Sequence, residues 1–299
     1  MFLQYGLKMR RIVFAALAIF VLLLRPAYGT SFTDRLDSIP DIVQTDPKAH
    51  FPYGGVHYCA PCAISNSLVW LGENGYAKLL PKGDGRMRIQ VELAKLLASR
   101  KYMDTTLEWG TSPAAVLQGI SKYLKDCGYE YKQLSYQGWR RVPGKFNTGV
   151  SDPDPEWIKS GLKGDSAVWL NVGWYKFNPG KKEYVRMGGH WVTLVGFGAD
   201  ENGMEDPDVV IIHDPGANTH GCQLCNDYIR LQSIESGSLI GGTGTKYNAA
   251  GFYRMTGGMR AYGKITALLD GAIRLEMKRT MDYVVSGKQA EPASQSSGR

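Results

Sequence analysis

The sequence predicts an α+β protein in which helices come first and a mostly antiparallel sheet follows. Two observations carry this. Between residues 59 and 124 apolar residues recur three and four apart, the helical period. From residue 165 onward the chain turns to short runs rich in Val, Ile, Tyr and Trp, bounded by Gly, Asp and Pro, as strands are.

The first 29 residues read as a secretory signal. Lys8, Arg10 and Arg11 precede an uncharged apolar run from Ile12 to Leu24, and Ala27-Tyr28-Gly29 offers the small-x-small pattern of a cleavage site. That run is shorter than the roughly 20 residues that span a bilayer. The mature protein is expected to be exported, periplasmic or extracellular, with no membrane attachment after cleavage. Residues 30–286 are then one domain.

Helices are expected at Asp34–Val43, at Cys59–Leu71 (Ala60, Ala63, Ile64, Leu68, Leu71) and at Arg88–Ser99 (Ile89, Leu93, Leu96, Leu97). Ser112-Pro113 is a cap and first helical position leading into Val116, Ile120 and Leu124, and Pro153–Leu162 is one more short helix. Strands are expected at 167–172, 183–187, 190–197, 209–213, 227–231 and 251–255. A last helix, from Ile265 to about Val285, carries Leu268, Leu269, Ile273, Met277 and Met281. Residues 287–299 are polar and rich in Ser, Gln and Gly, so they are expected to be disordered.

Charge excludes some function classes. Of the net +7, Lys8, Arg10, Arg11 and Arg25 supply four charges with no acidic residue among the first 29, which leaves the mature part at +3. That is an ordinary solubility charge and points to neither a nucleic-acid nor a membrane-surface partner.

Five cysteines and five histidines can be weighed singly. Cys59 opens a helix whose free N–H groups and dipole favour a thiolate. Such a nucleophile needs a base nearby, and the base is often held by a third polar group. His190 opens an apolar strand after Gly188-Gly189, and Asp214 closes the next strand. Adjacent antiparallel strands would bring the carboxylate beside the imidazole.

These residues also resemble a known family. Tyr58-Cys59-Ala60-Pro61 followed by Ser65-Asn66-Ser67-Leu68 resembles the nucleophile helix of papain-like cysteine peptidases, above all the C39-like (double-glycine, bacteriocin-processing) type. Gly189-His190-Trp191-Val192-Thr193-Leu194-Val195-Gly196-Phe197 is similar to the family's histidine strand, and Ile211-Ile212-His213-Asp214-Pro215 to its aspartate strand. The resemblance implies a papain-like fold, with a helical N-terminal lobe whose nucleophile helix packs on an antiparallel sheet lobe. It also implies Cys59 as nucleophile, His190 as general base and Asp214 as orienting group, a peptide or protein substrate, and no metal or organic cofactor. The sequence departs from the family twice. The glutamine expected about six residues before the cysteine is replaced by Tyr53, leaving Tyr53 and His57 as candidate oxyanion donors, and Ala60 stands where glycine is usual. Losing one such donor costs on the order of 3 kcal/mol. No phosphate-binding loop of a transporter ATPase is present in the sequence.

The cysteines allow other readings. Cys59/Cys62 and Cys222/Cys225 are both C-x-x-C pairs. About 160 residues separate them, which argues against a shared zinc site, and an exported setting favours disulfides. Cys222 with Cys225 and Cys62 with Cys127 are candidate bridges, leaving Cys59 free. A C-x-x-C thiol-disulfide oxidoreductase is one alternative function. A catalytically weak peptide- or envelope-binding protein is another.

Overall fold

Six strands close on themselves. In the computed structural model, which describes residues 31–216, 226–259 and 265–279, the strands of this ring are β2 (Ser166–Asn178), β3 (Glu183–Ala199), β4 (Glu205–His213), β5 (Asp227–Ser233), β8 (Tyr253–Gly257) and β9 (Ile265–Met277). Each is antiparallel to the next, and β9 returns to pair with β2. Three more strands extend the barrel. β1 (Tyr131–Gly138) pairs with β9, while β6 (Ser238–Ile240) runs parallel to β3 and pairs in turn with β7 (Lys246–Asn248). The expected signal segment 1–29, the expected disordered tail 287–299 and the pair Cys222 and Cys225 lie outside the described residues.

This corrects the fold expected from the sequence. The architecture is a closed antiparallel barrel with extra strands and few helices, not a papain-like helical lobe packed on a sheet lobe. The helices α1 (Cys59–Glu73), α2 (Arg86–Ala98) and α3 (Pro113–Asp126) do form near the expected places, with Ser112 accepting from the Ala115 N–H as the cap of α3. They lie against the outside of the barrel, where Trp169, Trp191 and Ile273 join Ile64, Leu68 and Ile120 in one apolar cluster. Inside the ring, all six strands contribute side chains, among them Val168, Leu194, Ile212, Ile229, Met255 and Leu269. Fully burying each such side chain contributes about 1.5–3 kcal/mol. The short helix α4 (Pro155–Ser160) adds Ile158 to the same cluster.

The decisive correction is β9, where the sequence predicts a helix. Leu268, Leu269, Ile273 and Met277 do recur with helical spacing. In the barrel, however, both faces of this strand are covered, so its apolar residues need not alternate. Leu269 and Ala272 face the ring interior, Leu268 packs under β6, and Ile273, Leu275 and Met277 meet the helices. A register shift opposite Asn171/Val172 completes the helix-like pattern.

The segment Asp34–Val43 is also not helical. Asp34–Ser38 form turns, closed by the Ile39 N–H on the Arg35 carbonyl, and the chain then runs on as an irregular strap outside β3 and β4, with Ile39 packed on Val195, Val209 and Ile211. Arg35 fixes its start, donating to the carbonyls of Ser166 (2.7 Å) and Gly164 and lying 4.1 Å over the Trp70 ring. The expected strands 183–187 and 190–197 are halves of one long strand, β3.

Candidate active site

The site is assembled from a helix start, a strand and a turn. Cys59 is the first residue of α1, and Pro61 sits in the first turn, where a missing N–H costs nothing. No side chain caps this end, so the N–H groups of Cys59 and Ala60 have no partner within the helix. The chain reaches Cys59 through a tight turn, Pro52–Gly55, in which Gly55 adopts φ +75°. A Cβ at Gly55 would overlap the Gln44 carbonyl oxygen, so this position needs glycine for space as well as conformation. Tyr58 N–H donates to the Gly55 carbonyl at 2.9 Å, and the Tyr58 ring stacks on Phe51.

His190 lies on β3, opposite Val172 of β2. The next residue, Trp191, is buried and donates through Nε1 to the Thr111 carbonyl at 3.1 Å. Trp174 stacks against the imidazole with ring centroids 6.0 Å apart. The β3–β4 ladder ends at the pair Thr193↔His213. Beyond it, His190 and Asp214 face each other, with His190 Nε2 and Asp214 Oδ1 2.5 Å apart. The Gly216 N–H donates to the same Asp214 oxygen at 2.7 Å. The Cys59 side chain neighbours the same imidazole and favours its charged form. With Nε2 taken by Asp214, Nδ1 is the nitrogen left for sulfur. The three residues singled out by the sequence therefore lie in one row around the imidazole.

Electrostatics follow from that row. Burial works against a charged imidazole, but the Asp214 carboxylate and the Cys59 thiol outweigh it and raise His190 to about 10. Asp214 is itself buried, which disfavours its charge. The opposing pull of His190 and the Gly216 N–H leaves it below the ordinary carboxylate range. Two further carboxyls face this charge. Asp41 is 2 % exposed, and burial, Asp214 and Asp227 push it up to about 8. Asn66 is a polar neighbour of Asp41, but neither Asp41 oxygen finds a well-aligned hydrogen bond. Asp227 rises to about 7 through burial and Asp214. Among these three acids Asp214 alone has a cationic partner, so it is the one that ionises first. Among the described residues no group of three acidic, His or Cys side chains could hold a metal ion.

No family model matches the chain. No curated protein matches it either. The case for a site therefore rests on its geometry and on the motif resemblance.

The two candidate oxyanion donors stand differently. Tyr53 is 72 % exposed on a left-handed backbone (φ 54°) and His57 is half-buried. Among the described residues no side-chain hydrogen bond holds either in place, whereas a preorganised donor needs such support. The proposed Cys62–Cys127 bridge is absent, since Cys59, Cys62 and Cys127 are all free thiols. Cys62 packs with Ile42, Phe51 and Tyr58, whereas Cys127 joins the α-helical cluster. Burial, with the nearby Cys59 and Asp41, pushes the Cys62 thiol well up.

Sequence reasoning missed the groups that hold the row together. Thr193 donates to the Ala63 carbonyl at 2.8 Å, and Trp169 Nε1 donates to the same carbonyl at 3.0 Å, which fastens α1 to β2 and β3. The Asn66 amide lies 3.2 Å from Thr193 Oγ1 and 2.6 Å from the Gln90 amide. In one orientation its oxygen accepts from the Ile42 N–H, and in the other its nitrogen donates to the Pro40 carbonyl. The strap is tied to α1 either way. His213 points away from Asp214, toward the Pro40 carbonyl and Asn226, as strand alternation requires.

Proposed function

We propose that this chain is an exported cysteine hydrolase of the peptidase type, with motifs like those of the C39-like enzymes on a different architecture, acting on peptide or protein substrates. The observation that carries the reading is a single imidazole bonded to the Asp214 carboxylate, with the Cys59 thiol at the start of α1 beside it. In this reading the proton shared by Cys59 and His190 rests on the imidazole before the substrate arrives, and the sulfur attacks the carbonyl carbon as the thiolate. The Cys59 and Ala60 N–H groups supply donors for the oxyanion. His190 then protonates the leaving amine, water attacks the thioester with His190 as base, and the acid is released with the thiol restored. Asp214 keeps the ring oriented and stabilises its cationic form. The chemistry calls for no metal or organic cofactor.

The exposure of Tyr53 and the lack of support for His57 favour a second reading, a slow or inert member that binds peptides. The two separate in one experiment. The mature protein is incubated with a peptide library, and cleavage is read by mass spectrometry beside Cys59→Ala. Cleavage lost in the variant supports hydrolysis. Peptides retained intact by both proteins support binding. Insulin reduction that needs both Cys59 and Cys62 would replace both readings with a thiol-disulfide exchanger.

A further inference from the structure

We propose that Gln44 is a positioning residue of this site: it ties the turn that carries Asp214 to the backbone that delivers Cys59. The inference rests on the site reading given above and extends it to a residue far from all three motifs. Gln44 is buried at the end of the strap. Its backbone N–H donates to the Pro215 carbonyl at 2.8 Å, one residue beyond Asp214. Its side-chain Nε2 donates to the carbonyls of Gly55 and Val56, both at 2.9 Å. One residue therefore bonds to both the turn after β4 and the loop before α1.

Three features make this a clamp and not ordinary loop packing. First, both N–H bonds of the Gln44 amide are spent on backbone carbonyls, so the group is committed to holding the loop and is not free to meet an oxyanion. Second, Oε1 is buried without a partner. A residue selected only to fill this space would not be an amide, because an unpaired buried acceptor is costly. Third, Gly55 is pressed against the Gln44 main chain so closely that no Cβ fits. The strap bonds at alternate residues, with the Pro40 carbonyl facing His213, the Pro40–Ile42 stretch tied to Asn66, and Gln44 tied to Pro215, Gly55 and Val56. Gln44 is the one of these that touches both sides of the thiol–imidazole–carboxylate row. Misplacing reacting groups by about 1 Å costs on the order of 100-fold, so a loosened clamp should register at Cys59.

The test is Gln44→Met in the mature protein, with the rate of Cys59 carboxamidomethylation by iodoacetamide followed from pH 5 to pH 10. Methionine matches the side chain in length and removes the donors together with the unpaired acceptor, and the thermal midpoint of the variant is measured alongside to show that it folds. The expected result is alkylation slowed about 10-fold below pH 8, approaching the native rate at pH 10. An unchanged profile in a folded variant overturns the proposal while leaving the site reading intact. If the native protein itself reacts like a free peptide thiol, with no enhancement below pH 8, the site reading fails first. A second measurement needs no variant. In the native protein the Gln44 side-chain amide protons should resist solvent exchange and should shift when Cys59 is alkylated. Rapid exchange with no shift overturns the clamp even if Gln44→Met does not fold.

Discussion

The Asp214 carboxylate should be the main reason that His190 stays protonated across the neutral range, and Asp214→Asn isolates that effect. Asparagine keeps the shape and an oxygen able to accept from Nε2–H, but it removes the charge. Burial acts on its own to lower the imidazole, and Asp214 is the first group that raises it. Without the charge, burial prevails and only Cys59 still raises the ring, so His190 should titrate well below about 10. Each unit of that fall is worth about 1.36 kcal/mol of lost interaction. Titration of the His190 ring protons by NMR reads the change directly. Alkylation of Cys59 at pH 6–7 should fall at least about 10-fold, because an imidazolium no longer sits beside the sulfur. The sign for stability also follows. A raised His190 holds a proton that the unfolded chain has lost between pH 6.5 and about 10. Its contribution is present in full below that window and is lost as pH rises through it. The native protein should lose stability across this range, and Asp214→Asn should flatten the slope. A ring that still titrates near 10 in the variant would refute the reasoning.

Three other perturbations test the surrounding structure. Asp41 keeps its proton in the fold up to about pH 8, while an unfolded Asp loses it near 3.8. Stability should therefore decline between these values as pH rises, at up to about 1.4 kcal/mol per unit. Urea unfolding of Asp41→Asn should show a gain of a few kcal/mol at pH 9 and little at pH 4, and equal gains at both would reject the buried acid. Asp270, fully buried, accepts from Arg186 Nε (2.8 Å), Tyr175 Oη (2.6 Å) and Trp139 Nε1 (3.0 Å). Asp270→Ala should cost about 3–5 kcal/mol by stranding the guanidinium, and adding Arg186→Met should recover part of it in a double-mutant cycle. Gly55→Ala places a side chain on a left-handed backbone, at about 1–2 kcal/mol, and drives it into Gln44. Cys59 alkylation should slow in this variant as it does in Gln44→Met, and an unaltered rate would show that the loop adjusts freely.

The site was legible because its three residues sit in short, local patterns: a cysteine at a helix start, a histidine opening a strand and an aspartate closing the next. Each pattern reports its own backbone, and antiparallel neighbours bring the last two together with no further information. The helices α2 and α3 were legible for a similar reason, since each buries one face, and α1, buried nearly all round, still repeats its large apolar residues at helical spacing. β9 was not, because a strand covered on both sides loses the alternation by which strands are recognised, and Leu268, Leu269 and Ile273 then mimic a helix. The closure of the barrel depends on that strand, so misreading one element misread the fold class. Gln44 and Asp41 were illegible for a different reason. Their roles lie in contacts with backbone carbonyls and distant acids, and such contacts leave no mark in sequence spacing.

Closure also explains how a site built from four distant segments can keep its register. In an open sheet β3 could slide on β4, and a slip of one residue would turn His190 to the opposite face. Here β2 is held between β3 and β9, and β3 between β2 and β4. A slip on one side must therefore be matched around the whole ring. The histidine and the aspartate inherit that rigidity from their strands. The cysteine does not, since α1 lies outside the ring. It is held there by Trp169 and Thr193, which both bond the Ala63 carbonyl, and by the strap through Asn66 and Gln44. The thiol is thus the part of the row most exposed to small displacements. Perturbations of the strap should act first on Cys59 reactivity, and only later on the ion pair between His190 and Asp214.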